Sequence, residues 1–231
     1  MKIGILSPSI GEIGAFLEKV ENKSEKTYAM MRLITGTFDG HELVIGISGV
    51  CKVNTALCMT LMIEREKIDT LILSGVAGAI DPTLMIGDTV VAVESAYHDV
   101  NNTFLAVDVD PPYLEGDWMP SDGALVEKAK AALGDFYADH RVIYGRCVSG
   151  EAFVEDDGRD EIIGKFDPLC TDMETAAAAH VARCYSIPFI ALRSITDTPN
   201  KSGLDTFHDN FLTSSAVVQK CLEALLRELW K

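Results

Sequence analysis

Three carboxylates hold positions from which they could do chemistry: Glu12, Glu174 and Asp197 each lie just beyond an apolar run that reads as a strand. No serine occupies a nucleophile elbow, no cysteine is paired with a histidine, and no phosphate-cradling loop accompanies them. Carboxylates in such company suit acid–base work on a bond whose cleavage develops positive charge, as at a glycosidic carbon. Each also has a plainer reading. Asp197, followed by Thr198-Pro199, fits an Asx turn, while Glu174 and Glu12 fit the first turn of a helix, where an acid complements the dipole. The five histidines (41, 98, 140, 180, 208) are scattered without an i, i+4 pair, so a metal site is not expected. His180 reads most simply as a helix residue.

The elements that must position these acids follow from the apolar spacing. Lys2–Leu6 is a strand followed by the loop Ser7–Gly11, and Glu12–Val20 is a helix with Ile13, Phe16, Leu17 and Val20 on one face. Met31–Phe38 and His41–Ser48 flank Asp39-Gly40, a hairpin signal. Lys52–Arg65 is a helix whose apolar face is expected to carry Val53, Ala56, Leu57, Thr60 and Leu61, drifting polar only at its end with Glu64. Thr70–Leu73 is a strand entering a glycine loop, Ser74–Gly78, and Thr89–Val93 is another strand. Helix Leu125–Leu133, strand Arg141–Val148, strand Leu169–Met173, helix Thr175–Cys184, strand Pro188–Ile195 and the long amphipathic helix Phe207–Trp230 complete the chain. The pattern predicts one α/β domain over residues 1–231, with a central mixed, mainly parallel sheet flanked by helices. Ligands in such sheets bind beyond the carboxyl ends of the strands, which is where the three acids fall.

Composition narrows the field. With 231 residues, 48% of them hydrophobic, the chain can bury a substantial core. A formal net charge of −15 argues against binding phosphate backbones through a basic face, so no nucleic-acid partner is expected. There is no long uncharged apolar run for a membrane span and no signal-peptide pattern at the N-terminus. Six cysteines without a CxxC pair fit reduced thiols in the cytoplasm. The acidic stretch Glu155–Glu161 reads as a solvated loop.

Seven segments together give a resemblance: Ser48-Gly49-Val50-Cys51-Lys52-Val53, Gly75-Val76-Ala77-Gly78, Gly87-Asp88, Tyr97-His98-Asp99, Ser149-Gly150-Glu151-Ala152-Phe153, Asp172-Met173-Glu174-Thr175-Ala176-Ala177 and Arg193-Ser194-Ile195-Thr196-Asp197. In this order they resemble the purine nucleoside phosphorylase superfamily, and within it the 5′-methylthioadenosine/S-adenosylhomocysteine nucleosidases. The resemblance implies hydrolysis of an N-ribosidic bond without a cofactor. Asp197, with Thr196 beside it, would hold the base edge and deliver a proton toward N7. Glu174 would bind the ribose hydroxyls and Met173 would pack under the sugar. Phe153 would lie on the base, the Val154 backbone would bond its edge, and Phe207 would close the pocket. Glu12 would activate the attacking water, with Arg193 as its charge partner. It implies, too, a homodimer in which the His98–Tyr113 loop reaches the neighbour's site.

A phosphorylase must hold a phosphate dianion at the nucleophile position, through arginines and N–H groups. Ser7–Gly14 contains no arginine or lysine and supplies Glu12 instead, which favours water. The alternatives are a phosphorylase using Lys52, Arg146 or Arg193, a nucleoside-binding protein without catalysis, and a nucleosidase for a bulkier, aminofutalosine-type 5′ group. Three features depart from the family pattern. Val76 stands where a water-positioning serine is usual. Leu105 and Val107 stand where aromatics usually enter the 5′ pocket, with Phe104 and Tyr113 nearby. Finally, Ser7-Pro8-Ser9-Ile10-Gly11 replaces a more acidic loop.

Overall fold

The computed structural model describes residues 2–100, 118–154 and 156–231. Strand β1 (Ile3–Ser7) leads through a short turn into helix α1 (Ile10–Glu18). Three strands follow, β2 (Glu21–Tyr28), β3 (Met31–Phe38) and β4 (His41–Ile47), then helix α2 (Lys52–Glu66). The long strands β5 (Thr70–Ala79) and β6 (Thr89–Tyr97) precede the short β7 (Met119–Pro120), helix α3 (Gly123–Leu133) and strands β8 (Phe136–Tyr137) and β9 (His140–Ser149). Helix α4 (Asp156–Phe166), strand β10 (Cys170–Asp172), helix α5 (Thr175–Tyr185), strand β11 (Phe189–Asp197) and helix α6 (Leu204–Leu229) end the chain.

The strands form a mixed sheet in the order β10-β9-β6-β11-β5-β1-β4-β3-β2. Strands β4, β1, β5 and β11 run parallel to their neighbours in that group, as do β6, β9 and β10 in theirs. β10 also pairs antiparallel with the end of β5, Thr171 opposite Gly78, so β5, β11, β6, β9 and β10 close into a ring. Alternation along the strands feeds two cores. Leu71 and Leu73 of β5 pack with α2 and α5, whereas Ile72 packs with α1, α3 and α6. Strands covered on both faces read as continuous apolar runs, which is how β1, β5 and β11 were legible. Among the described residues no helix is long and apolar enough to cross a membrane.

Four expectations need correcting. The glycine segment Ser74–Gly78 is strand, not loop, because β11 pairs along all of it and β10 joins the other edge at Gly78. The inner face of α2 carries Thr55, Cys58, Met59, Met62, Ile63 and Glu66, while Val53 and Leu57 point outward. This helix has two apolar stripes, and the larger methionines fill the space over β1 and β4. The stretch at 155–161 is not a solvated loop, since from Asp156 onward it forms α4, with Arg159 and Ile162 buried. Finally, β2 was not foreseen. Its sequence, ENKSEKTY, is polar and mostly exposed, as an edge strand with both faces in water allows.

Candidate active site

At the carboxyl ends of β5, β10 and β11 lies a cavity of about 370 Å³. Glu12, Asp172, Glu174 and Asp197 line it, with Val50, Val76, Phe153, Val154, Met173 and Phe207 among the other walls. Four of the deepest side chains are charged, yet all are buried. Buried charge must be paired or hydrogen-bonded, and the pairing here determines what each group can do.

Glu12 sits in the first turn of α1, aimed across the sheet end at β5. Its carboxylate accepts from the Val76 backbone N–H at 3.0 Å and from the Ser9 hydroxyl at 2.7 Å. Burial pushes its pKa up, opposed by the Arg193 charge and these hydrogen bonds. Val76 therefore still serves the acid through its main chain. Its side chain, in the place where the family resemblance implied a serine, gives the cavity an apolar wall.

Arg193, fully buried on β11, is the hub of the cluster. Its Nε lies 2.6 Å from Asp172 and its Nη2 3.1 Å from Glu174, and Nη1 donates to the Val76 carbonyl at 3.4 Å. Burial alone would lower its pKa, but the surrounding Asp172, Glu174 and Glu12 charges hold it raised. Gly75 makes this possible: a Cβ there would collide with Arg193 and come within 2.6 Å of Glu12. Asp172 is further tied to the Thr175 hydroxyl and to the backbone N–H groups of Glu174 and Thr175.

Glu174 stands at the N-terminus of α5 and makes no side-chain cap to it. It accepts instead from the Cys51 N–H at 2.9 Å and from Arg193. Cys51 reaches it by adopting φ 80° and ψ 161°, a conformation that strains any residue with a Cβ and that recurs at functional sites. Burial raises the pKa of Glu174 to about 7, partly offset by Arg193.

Asp197 ends β11 at 1% exposure. Rather than forming an Asx turn, its carboxylate accepts from the Thr196 hydroxyl at 2.9 Å and from Arg159 Nη2 at 3.2 Å. Burial raises its pKa, against the pull of Thr196 and Arg159. Thr196 itself bonds the Ala77 carbonyl and stands behind Asp197, off the cavity wall. Phe153 and Phe207 meet edge to face, ring centroids 5.9 Å apart, over the same cavity. Leu105, Phe104, Val107 and Tyr113 lie outside the described residues.

Sequence reasoning missed Arg159, hidden in an acidic stretch, together with His208, Phe211 and Thr171 of the cavity wall. The buried Thr171 hydroxyl has no partner among the described residues. No pattern of types or spacing distinguishes these positions before the chain is folded. The cations suggested for phosphate are occupied: Lys52 pairs with Asp99 at 2.8 Å and Arg146 with Glu94 at 2.6 Å, and Arg193 is held as described. No group of metal-binding side chains occurs among the described residues.

Known proteins give the same picture. The profile of the phosphorylase superfamily matches residues 2–229. A 5′-methylthioadenosine/S-adenosylhomocysteine nucleosidase of Anoxybacillus flavithermus is 31% identical, with all of both chains covered. The structure of such a nucleosidase from Colwellia psychrerythraea 34H in complex with adenine superposes with a TM-score of 0.90 at 26% identity, covering 99% of this chain and 96% of that one. That from Neisseria meningitidis in complex with methylthio-immucillin-A gives 0.89 at 28% identity, with 98% of each chain covered. On sequence and fold alike, the chain belongs to the phosphorylase superfamily and, within it, to the 5′-methylthioadenosine/S-adenosylhomocysteine nucleosidases, a family of N-glycosyl hydrolases.

Proposed function

We propose that this protein hydrolyses the N-ribosidic bond of a 5′-substituted adenosine, 5′-methylthioadenosine or S-adenosylhomocysteine, to adenine and the free 5-substituted ribose. The observation that carries this reading is the placement of two acids along one strand. Glu12 is bonded to Val76 and Asp197 lies against Gly78, two residues further along β5. A rise of about 3.3 Å per residue separates those strand positions by roughly 7 Å. That span lets one acid address the purine while the other addresses water near the anomeric carbon. Asp197 delivers a proton to N7, Glu12 takes one from water, and Glu174 binds the ribose hydroxyls more strongly as oxocarbenium character grows. Arg193 pulls Glu12 and Glu174 toward the ionised form, against the burial that raises both. Met173 supports the sugar, Phe153 and the Val154 backbone receive the base, Thr196 steadies Asp197, and Phe207 closes over the cavity. Leu105 is assigned to the 5′-substituent end on the family resemblance alone.

Water is favoured over phosphate because, among the described residues, Arg193 and Lys52 are already paired with carboxylates. Two copies are proposed to associate through the outward stripe of α2, beside the mouth of the cavity. The test is adenine release from 5′-methylthioadenosine in phosphate-free buffer, with chromatography of the sugar. Free 5-methylthioribose is expected, and Asp197→Asn is expected to abolish its formation because an amide cannot act as the acid. Cleavage that requires phosphate and yields the sugar 1-phosphate, or near-native turnover by Asp197→Asn, would overturn the assignment.

A further inference from the structure

We propose that Arg159 is a positioning residue for the reaction: its guanidinium holds the buried Asp197 carboxylate at the base edge of the cavity and governs when that carboxylate carries a proton. The inference rests on the reading of Asp197 as the acid, and adds to it a residue from an element the resemblance does not single out.

Arg159 is 5% exposed, whereas Asp160, Glu161 and Lys165 after it face water. Dehydrating a guanidinium is costly unless its fork is met by acceptors. Both arms are met here. One Nη donates to the Ala79 carbonyl, at the last residue of β5, and the other lies 3.2 Å from Asp197 Oδ2. Arg159 therefore ties the acid to the strand end beside it. One turn further along α4, Ile162 packs with Ile80, Ala96 and Val148, anchoring the helix that carries the guanidinium. Gly78 completes the fit, since a Cβ there would stand 3.1 Å from Asp197.

No other cation touches Asp197 among the described residues. The remaining titratable groups of the cavity are Glu12 from α1, Asp172 from β10, Glu174 ahead of α5 and His208 from α6. Arg193 of β11 is engaged by Asp172 and Glu174, and β5 carries no charged side chain. Arg159 is thus the group placed to set the charge state of Asp197, in opposition to burial.

The chemistry gives this pair a direction. In the proton transfer the Asp197 O–H bond breaks and an N7–H bond forms, while the C1′–N9 electron pair passes into the purine. Water then bonds to C1′ and yields a proton to Glu12. Asp197 is left as a carboxylate in a dry site, and Arg159 stabilises that product charge. An acid with a cation at its back gives up its proton more readily, so the contact lowers the barrier more than it strengthens substrate binding.

The test compares kcat against pH for adenine release from 5′-methylthioadenosine by the wild type, Arg159→Met and Arg159→Lys. Arg159→Met is expected to lower kcat by about a hundredfold with a smaller change in KM, since displaced catalytic groups cost about that much. Its alkaline limb should move up by about one pH unit, because an opposite charge beside a carboxyl lowers its pKa by at least that. Arg159→Lys should restore the limb and part of the rate. Where methionine prevents folding, Arg159→Gln keeps a donor without the charge and must move the limb the same way. A limb that stays in place in the neutral variants, or that lysine does not restore, would show a merely structural arginine and overturn the proposal. Asp197→Asn is measured alongside. If it turns over normally, the reading of Asp197 itself has failed, whatever the Arg159 variants do.

Discussion

Glu174 sits where burial and a neighbouring cation pull in opposite directions, and burial prevails, raising its pKa to about 7. The ordinary value of 4.5 applies once the chain unfolds. Protons therefore bind the folded state more readily than the unfolded state between those two values. Stability should fall as pH rises through this window, and the penalty should be complete above about 7. Glu174→Gln removes the titration while keeping an oxygen for the Cys51 N–H. Melting curves from about pH 5 to about pH 8 should show the wild type losing stability and the variant losing less of it. A variant as steep as the wild type would place the buried proton elsewhere. Glu12→Gln makes a separate point. It keeps the acceptor for Val76 but cannot take a proton, so turnover should fall by at least about a hundredfold, the usual contribution of a general base. That Glu12, Glu174 and Asp197 meet at one cavity was legible in the sequence, because all three follow apolar strands in a recognisable order. Arg159 was not, because a lone cation among acids in a polar segment carries no periodic signal.

At the scale of the element, β5 shows why close approach matters more than a loop would. Its glycines let Arg193 and Glu12 press against the main chain, and between the end of β1 and the start of β10 one edge of the strand is left for them to bond. Gly75→Ala should cost about 1–3 kcal/mol, typical of overpacking, and should depress turnover far more than stability. Thermal melting together with adenine release separates the two effects. The start of α2 carries the opposite problem, a Cβ where glycine would be at ease. Cys51→Gly should raise stability by about 1 kcal/mol by relieving that conformation, a gain that denaturant unfolding can resolve. These details explain the limits of reading the fold. Buried strands and the Asp39-Gly40 hairpin announce themselves by apolar runs and turn chemistry. The extension of β5 through its glycines depends on partners distant in sequence, and the polar edge strand β2 has no apolar pattern to read. For α2 the period was right and the face wrong, because two apolar stripes lie on one helix.

The outward stripe of α2 sets a problem for the whole molecule. Val53 is 75% exposed, Val50 53% and Leu57 38%, all on or beside one helix end. Apolar clusters of this kind mark association surfaces, and a two-fold pairing of identical patches is the commonest solution. Val50 also lines the cavity, so a partner on this stripe would sit at the mouth of the site. Yet each chain carries a net charge of −15, and two of them repel. The association proposed through this stripe would be apolar contact working against long-range repulsion. Such repulsion is screened over about 10 Å at 0.1 M salt and over about 30 Å at 0.01 M. The dimer should tighten as salt rises, the reverse of an interface held by opposite charges. Sedimentation of the 25.1 kDa chain at low and moderate salt would show this as a shift from monomer toward dimer. Val53→Asp should leave it monomeric at both, and should raise KM because the site mouth loses its neighbour. A variant that remains dimeric would move the interface away from α2, and dissociation by added salt would mean that charge pairs, not this stripe, hold the copies together.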